Sequence, residues 1–182
     1  MCVGLLHAFY LGILNTRCRV AIWTLIDEGA YGYIGTEHEL THIAAIAMRA
    51  SLMKFYANYQ RKYPLSNLTR VSDFTQSMLG TWNKPALKTK AAETWGVALF
   101  LIEEIKARGA ALSEMDRTRL RQAGEQLVII VQIWKSSNWC IERAIAQKIL
   151  DHYKIHMNLM RPYDCFTSKH HIMIHPLSLI HI

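Results

Sequence analysis

Apolar residues recur at helical spacing along nearly the whole chain, whereas alternating strand patterns are scarce. Residues 5–27 form one apolar segment, and the loop 29–35 that follows is punctuated by three glycines. Thr36 and Glu39 have the spacing of a capping box. They predict the start of a second helix, which we expect to end before Pro64. Its expected core positions are Leu40, Ile43, Ala47, Leu52 and Phe55.

The middle of the chain predicts one short helix and one long helix. The mixed stretch 65–83 favours a short helix around 71–79, closed by Gly80. Pro85 suits a first helical position, because its missing N–H would have no partner there. The long helix that follows would end at Gly109. Its expected inward stripe is Leu87, Ala91, Trp95, Leu99, Ile102 and Ile105, with Glu103-Glu104 and Lys106-Arg108 on the other side.

Polar residues delimit the last two helices. Ser113 is a plausible cap with Asp116 three residues on, and Ser136 or Ser137 would cap the next helix, which Pro162 stops. The expected buried positions are Leu120, Ala123, Leu127, Ile130 and Trp134, then Ile141, Ile145, Ile149 and Tyr153. Five long helices and one short helix with brief loops predict an all-α, antiparallel bundle-like domain.

Composition narrows the class of protein. A chain of 182 residues with 51% hydrophobic residues predicts one folded domain and excludes a disordered chain. No apolar run approaches the ~18–20 residues that span a bilayer. The four cysteines lie far apart, without a Cys-x-x-Cys pair, and the amino terminus lacks the layout of a secretory signal. These features favour an intracellular, reducing compartment.

The formal net charge is +7, which permits a DNA or RNA partner without requiring one. We interpret the excess of positive charge as spread along the chain. Its densest stretch, Arg117, Arg119 and Arg121, is the candidate contact with a phosphate backbone. The alternative interpretation of such a run is a solvated helix face.

Two His-x-x-x-His pairs are the candidate metal ligands: His152 with His156, and His171 with His175. Residues four apart share a helix face, so such a pair can hold two positions of a tetrahedral zinc, and Cys165 could add a thiolate. The alternative is that these histidines pack or face solvent. No catalytic signature is present: there is no Gly-x-Ser-x-Gly elbow, phosphate loop or dinucleotide fingerprint. We therefore expect no catalytic residues in this chain.

Two segments near the ends carry motif-like patterns. They are Leu6-His-Ala-Phe-Tyr-Leu-Gly-Ile13 and Ser168-Lys-His-His-Ile-Met-Ile-His175, and Lys88-Thr-Lys-Ala-Ala-Glu-Thr94 lies between them. Together they resemble landmarks of eukaryotic DDE-type transposases and related proteins encoded by mobile elements. Those landmarks are Asp-x-x-His-x-x-x-Leu-Gly and Pro-Lys-x-His-x-x-x-His. The matching residues are His7, Leu11, Gly12, Lys169, His171 and His175, and Ser168 replaces the proline.

The resemblance implies a ribonuclease-H-like parent in which three acidic residues hold two Mg²⁺ or Mn²⁺ ions. Gly4 stands where the second acid would lie, and the first and third would lie beyond the two ends of the chain. The chain would then be mostly a helical insertion without a metal cofactor of its own. Residues 177–182 resemble translated sequencing adapter, and the alternative is an ordinary apolar tail. The expected domain is 1–176, a fragment of a larger protein.

Two functional hypotheses follow. In the first, the chain is a non-catalytic, nuclear scaffold fragment of a transposase-like protein, with contact to the DNA backbone. In the second, it is a stand-alone helical module that binds nucleic acid or protein, in the manner of a nucleoprotein. The sequence leaves the oligomeric state open.

Overall fold

A computed structural model of the protein describes residues 9–32, 35–137 and 142–166. A π-helical turn, Phe9–Leu14, runs into the first α-helix. The α-helices are α1 (Asn15–Asp27), α2 (Glu37–Lys62), α3 (Gln76–Leu79), α4 (Ala91–Arg108), α5 (Glu114–Ser136) and α6 (Arg143–Met160). The strands are β1 (Gly80–Thr81) and β2 (Lys84–Pro85), and 3₁₀ turns lie at Gly109–Ala111 and Arg161–Tyr163. Within these described ranges, the predicted all-α, bundle-like fold of five long helices and one short helix is confirmed.

The predicted starts of α2 at Thr36 and of α5 at Ser113 are confirmed by their hydrogen bonds. The backbone N–H of Thr36 donates to Glu39 Oε2 at 2.7 Å, and the N–H of Glu39 donates to Thr36 Oγ1, which completes the capping box. The N–H of Asp116 donates to Ser113 Oγ at 3.0 Å. These bonds pair amide groups that the first helical turn leaves without a partner.

The prediction for Pro85 is wrong. Pro85 pairs with Gly80 in a two-residue antiparallel hairpin, and α4 begins six residues later at Ala91. Gly80 has φ 79°, and a Cβ there would lie 2.4 Å from the carbonyl oxygen of Lys84. The hairpin closes this tightly because Gly80 has no side chain, and proline is tolerated at such an edge.

Two other predicted boundaries are also wrong. The short helix covers only Gln76–Leu79, so residues 71–75 are non-helical. Ser136 and Ser137 lie at the end of α5 and do not cap α6. The Ser137 hydroxyl donates to the carbonyl of Ile133 at 2.6 Å, as hydroxyls near a helix end commonly do. The N-cap of α6 is Glu142.

The apolar stripe that the sequence predicts to face inward on α2 is next to the face that is buried. The buried residues are Thr41, Ala44, Ala45, Met48, Leu52 and Tyr56, so Leu52 alone of the predicted set is fully buried. Ile43 is exposed, and Leu40, Ala47 and Phe55 are intermediate. Apolar residues occupy both faces of α2, so periodicity could not show which face meets the core.

Helix α4 lies at the centre of the fold, packed against α1, α2 and α5. It buries residues on most of its circumference, as a central helix must. Glu104 is buried, which corrects its predicted solvent position, and the predicted core residues Trp95 and Leu99 are half-buried. The predicted inward positions of α5 are all buried. In α6 the buried predicted positions are Ile149 and Tyr153, whereas Ile145 is intermediate. Ile141 lies outside the described residues.

Candidate nucleic-acid interface

The positive excess is concentrated in one segment, which corrects its interpretation as spread along the chain. Residues 40–92, here called the basic flank, contain eight Lys and Arg residues and one acidic residue, Asp73. The rest of the chain contains thirteen residues of each sign, so the basic flank accounts for the whole net charge of +7. A charge count over a window of about 50 residues would have found it.

All eight cations of the basic flank are exposed to solvent: Arg49, Lys54, Arg61, Lys62, Arg70, Lys84, Lys88 and Lys90. They lie on α2, on the connection after it, on the hairpin and on the segment before α4. Arg49 pairs with Asp73 at 3.3 Å, and no other cation of the flank has a carboxylate within 4 Å in the described ranges. Solvated cations without a carboxylate partner can bind a polyanion.

A cleft of about 810 Å³ borders this flank. It runs along α4, which packs against α2 and α5, so that α2 forms one wall and α5 the other. The α2 wall contributes Lys54, Phe55, Tyr59, Lys62 and Tyr63 to the lining. The α2 wall is therefore basic and aromatic.

Three aromatic rings follow one another along that wall. The ring centroids of Phe55 and Tyr59 are 5.6 Å apart, and those of Tyr59 and Tyr63 are 4.8 Å apart. Lys62 Nζ lies 5.2 Å from the centroid of the Tyr63 ring, within the range of a cation–π contact. Tyr63 is exposed. A ladder of rings with neighbouring cations is typical of surfaces on which nucleic-acid bases stack.

The carboxylates that line the cleft are each held by a cation. Glu103 pairs with Lys106 at 2.8 Å, and Glu125 lies 3.6 Å from Arg121. The buried Glu104 accepts a hydrogen bond of 2.6 Å from Arg108 Nε. These pairs neutralise the α4 and α5 side, so the unpaired positive charge of the cleft comes from α2.

The predicted arginine cluster does not form one surface. Residues two apart on a helix point about 200° apart, so Arg119 faces away from Arg117 and Arg121. The side chain of Arg117 lies over Gly109, where a Cβ would be 2.7 Å from its Cδ. Arg121 pairs with Glu125, as described above. The three arginines are therefore on two faces of α5, and part of their charge is already paired.

The histidines of α6 contact α5. His152 Nδ1 lies 2.7 Å from Gln126 Oε1, and His156 Nδ1 lies 3.1 Å from the carbonyl oxygen of Ala123. Because a carbonyl only accepts, Nδ1 of His156 carries a proton and donates. His156 is buried and its ring stacks on that of Tyr153. In the described ranges no group of three or more His, Cys, Asp or Glu side chains could hold a metal.

Some of the remaining candidate residues lie in the described part of the chain, and the others lie outside it. Leu11 and Gly12 lie in the π-helical turn, where Gly12 is buried. His7, Lys169, His171 and His175 lie outside the described residues, as does the proposed tail 177–182. Cys165 is buried, and its burial raises the pKa of its thiol.

Comparison of the chain with protein-family models, with curated proteins and with solved structures finds no match. Within the described ranges, no helix is long and apolar enough to cross a membrane.

Proposed function

We propose that this protein is a helical nucleic-acid-binding module that holds the phosphate backbone on its basic flank. The observation that carries the proposal is the location of the whole net charge in residues 40–92, on eight exposed cations. Release of counterions from the phosphates would supply the binding free energy. The proposed role is binding, with no chemical step assigned to any residue of this chain.

The cleft favours a single strand as the polymer. The rings of Tyr59 and Tyr63 lie beside Lys62 on its α2 wall. Stacking of one base on an aromatic side chain contributes about 1–3 kcal/mol and tolerates any base. We therefore propose that unpaired bases enter the cleft while the phosphates follow the cations of the flank.

The resemblance to transposase landmarks supplies a narrower form of the same proposal. In that form the polymer is DNA, and the chain is the helical scaffold of a transposase-like protein whose Mg²⁺ or Mn²⁺ ions would be bound outside this chain. The alternative is a stand-alone module. Both forms predict binding through the basic flank, so the first experiment tests what they share.

The experiment compares two variants that lose the same charge at different places. K62Q/K84Q/K88Q removes three cations of the basic flank, and R143Q/K148Q/K154Q removes three exposed cations of α6. Fluorescence anisotropy with a labelled 20-nucleotide single strand and with its duplex gives Kd over a series of salt concentrations. We expect the flank variant to weaken binding at least tenfold and to lower the salt slope by about 2 for the single strand. The α6 variant should stay near wild type.

Equal losses from the two variants would show that net charge alone is responsible, and would contradict the proposal. Absence of salt-dependent binding to any strand by the wild-type protein would also contradict it. Replacement of Tyr63 by Leu separates stacking from charge. We expect it to weaken the single strand several-fold and to leave duplex binding unchanged.

A further inference from the structure

Helix α2 has a second apolar stripe, on the face that points away from the core. Ile43, Ile46, Ala50, Met53 and Ala57 follow one another at steps of three and four residues, the spacing of a heptad seam. Ile43 is 45% exposed, Ile46 is 58% exposed and Met53 is 36% exposed. Here this set of five residues is called the outer seam.

Packing among the residues that the structure describes leaves Ile43, Ile46 and Met53 of the outer seam exposed. The buried residues of α2, such as Ala44, Met48 and Leu52, lie on the opposite side of the helix. A helix that is apolar on both faces is usually covered on both. A contiguous exposed apolar patch commonly marks an interaction site.

Cations border the outer seam on both sides. Arg49 lies along one edge, and Lys54 and Arg61 lie along the other, at positions that flank a heptad seam. All three are exposed, and Arg49 pairs with Asp73. From residue 40 to residue 72 the sequence contains no Asp or Glu. The charge that would complement this face is therefore negative.

We propose that the outer seam docks an amphipathic helix of a partner protein, with apolar residues at its seam positions and acidic residues beside them. Ala50 and Ala57 leave room for close approach of a second backbone. From Ile43 to Ala57 the seam spans about 21 Å at 1.5 Å per residue, which matches a partner helix of about four turns. Apolar contact would supply affinity, and the flanking charges would select the acidic partner.

Two other occupants fit the charges less well. A second copy of the chain would place its own Arg49, Lys54 and Arg61 beside these cations, and like charges at flanking positions oppose pairing. A membrane surface would accept the cations, but the seam has no Trp or Phe to anchor it in the interface. Nucleic acid would bind the cations but would gain no binding affinity from the exposed isoleucines.

The test uses a designed 28-residue helical peptide with Leu at the seam positions and Glu at the flanking positions. A matched peptide carries Lys at those flanking positions. Fluorescence anisotropy measures binding of each to the wild-type chain, and circular dichroism verifies that every variant is folded. We expect saturable binding of the Glu peptide, at least tenfold tighter than that of the Lys peptide.

Substitution then locates the binding site. I46D/M53D should weaken the Glu peptide at least tenfold, whereas M115D/I155D, at two apolar residues exposed elsewhere, should not. K62Q/K84Q/K88Q should retain peptide binding even though it weakens nucleic acid, so the two proposals can fail independently. Equal binding by I46D/M53D and wild type would overturn the proposal. A dimer of the chain, or binding to vesicles of anionic lipid, that I46D/M53D abolishes would assign the seam to that occupant instead.

Discussion

The guanidinium of Arg17 lies directly against the backbone of Gly124. A Cβ at Gly124 would be 2.5 Å from Arg17 Nη2 and 2.6 Å from its Cζ. Arg17 is fully buried, and its Nη2 donates to the carbonyl of Leu120 at 2.7 Å, one turn earlier on α5. The absence of a side chain at Gly124 therefore gives a buried cation its place between α1 and α5.

We expect Gly124→Ala to destabilise the protein. The added methyl group would overlap a guanidinium that is enclosed on all sides, and such overpacking typically costs about 1–3 kcal/mol. This cost opposes the gain of about 1 kcal/mol from the better helix propensity of alanine. Urea unfolding of the variant measures the difference in the free energy of unfolding.

The control for this substitution is the same change in an Arg17→Ala background. There the overlap is gone, so Gly124→Ala should become neutral or stabilising by its helix propensity. Equal effects in the two backgrounds would show that the two residues are not coupled.

Replacement of Arg17 by Met should stabilise the fold. Nε and Nη1 of Arg17 have no hydrogen-bond partner in the described ranges, and burial lowers the pKa of the guanidinium because it disfavours the charged form. A methionine of similar length removes the buried charge and keeps most of the packing. We expect a gain of about 1 kcal/mol or more in urea unfolding. If Arg17→Met lowered the free energy of unfolding as much as Arg17→Ala does, the result would show that the charge of Arg17 has a stabilising partner.

The buried carboxylate of Glu104 depends on Arg108. Arg108 Nε donates to Glu104 Oε1 at 2.6 Å, and the hydroxyl of Tyr31 donates to the same oxygen at 3.0 Å. Burial, followed by the charge of Glu104, raises the pKa of Tyr31, which stays a donor at neutral pH. Among the described residues, Arg108→Met would leave the carboxylate with one donor, the hydroxyl of Tyr31, and we expect a loss of about 2–4 kcal/mol in the free energy of unfolding.

The double variant Glu104→Gln, Arg108→Met separates charge from packing. It removes both charges, so it should recover a large part of the stability lost by Arg108→Met alone. Thermal unfolding of wild type, the two single variants and the double variant gives the coupling free energy. A value near zero would contradict a stabilising interaction between Glu104 and Arg108.

Asp116 should make the stability depend on acid pH. Ser113 Oγ and the hydroxyl of Tyr163 each donate to its carboxylate at 2.7 Å, and these bonds hold its pKa below the ordinary value of about 3.9. The ionised form is thus favoured in the folded state. Its stabilising contribution is present above about pH 4 and is lost as the pH falls through the lowered pKa.

The measurement is the free energy of unfolding between pH 2 and pH 6. The gap between wild type and Asp116→Asn should be largest at pH 6 and should shrink towards pH 2. Tyr163→Phe should flatten the pH dependence in part, because one of the two donors remains. A gap that does not change with pH would contradict this role of Asp116.

His156 should stabilise the α5–α6 contact independently of metal. Its imidazole is buried and donates to the carbonyl of Ala123. His156→Ala removes both the packing and the hydrogen bond, and we expect a loss of about 2 kcal/mol or more. A chelator should leave the Tm of wild type unchanged. A Tm that falls on chelation would instead support a zinc site formed by His152, His156, His171 and His175.

The sequence by itself determined the number and kind of helices and several of their ends. The capping box at Thr36, the cap at Ser113, the helix end at Gly109 and the helix end before Pro162 are local features, because each depends on residues within one helical turn. The family resemblance was also read from local patterns. The structure places Leu11 and Gly12 in the π-helical turn, and the resemblance remains a prediction.

The tertiary structure decided which helix faces are buried. Helix α2 is apolar on two sides, so its packing against α1, α3 and α4 determines that Met48 is buried and Ile46 is exposed. The burial of Arg17 and Glu104 likewise depends on residues distant in sequence, Gly124 and Tyr31, which no periodicity connects. Periodicity shows which residues share a face of one helix, whereas burial depends on how several helices pack together.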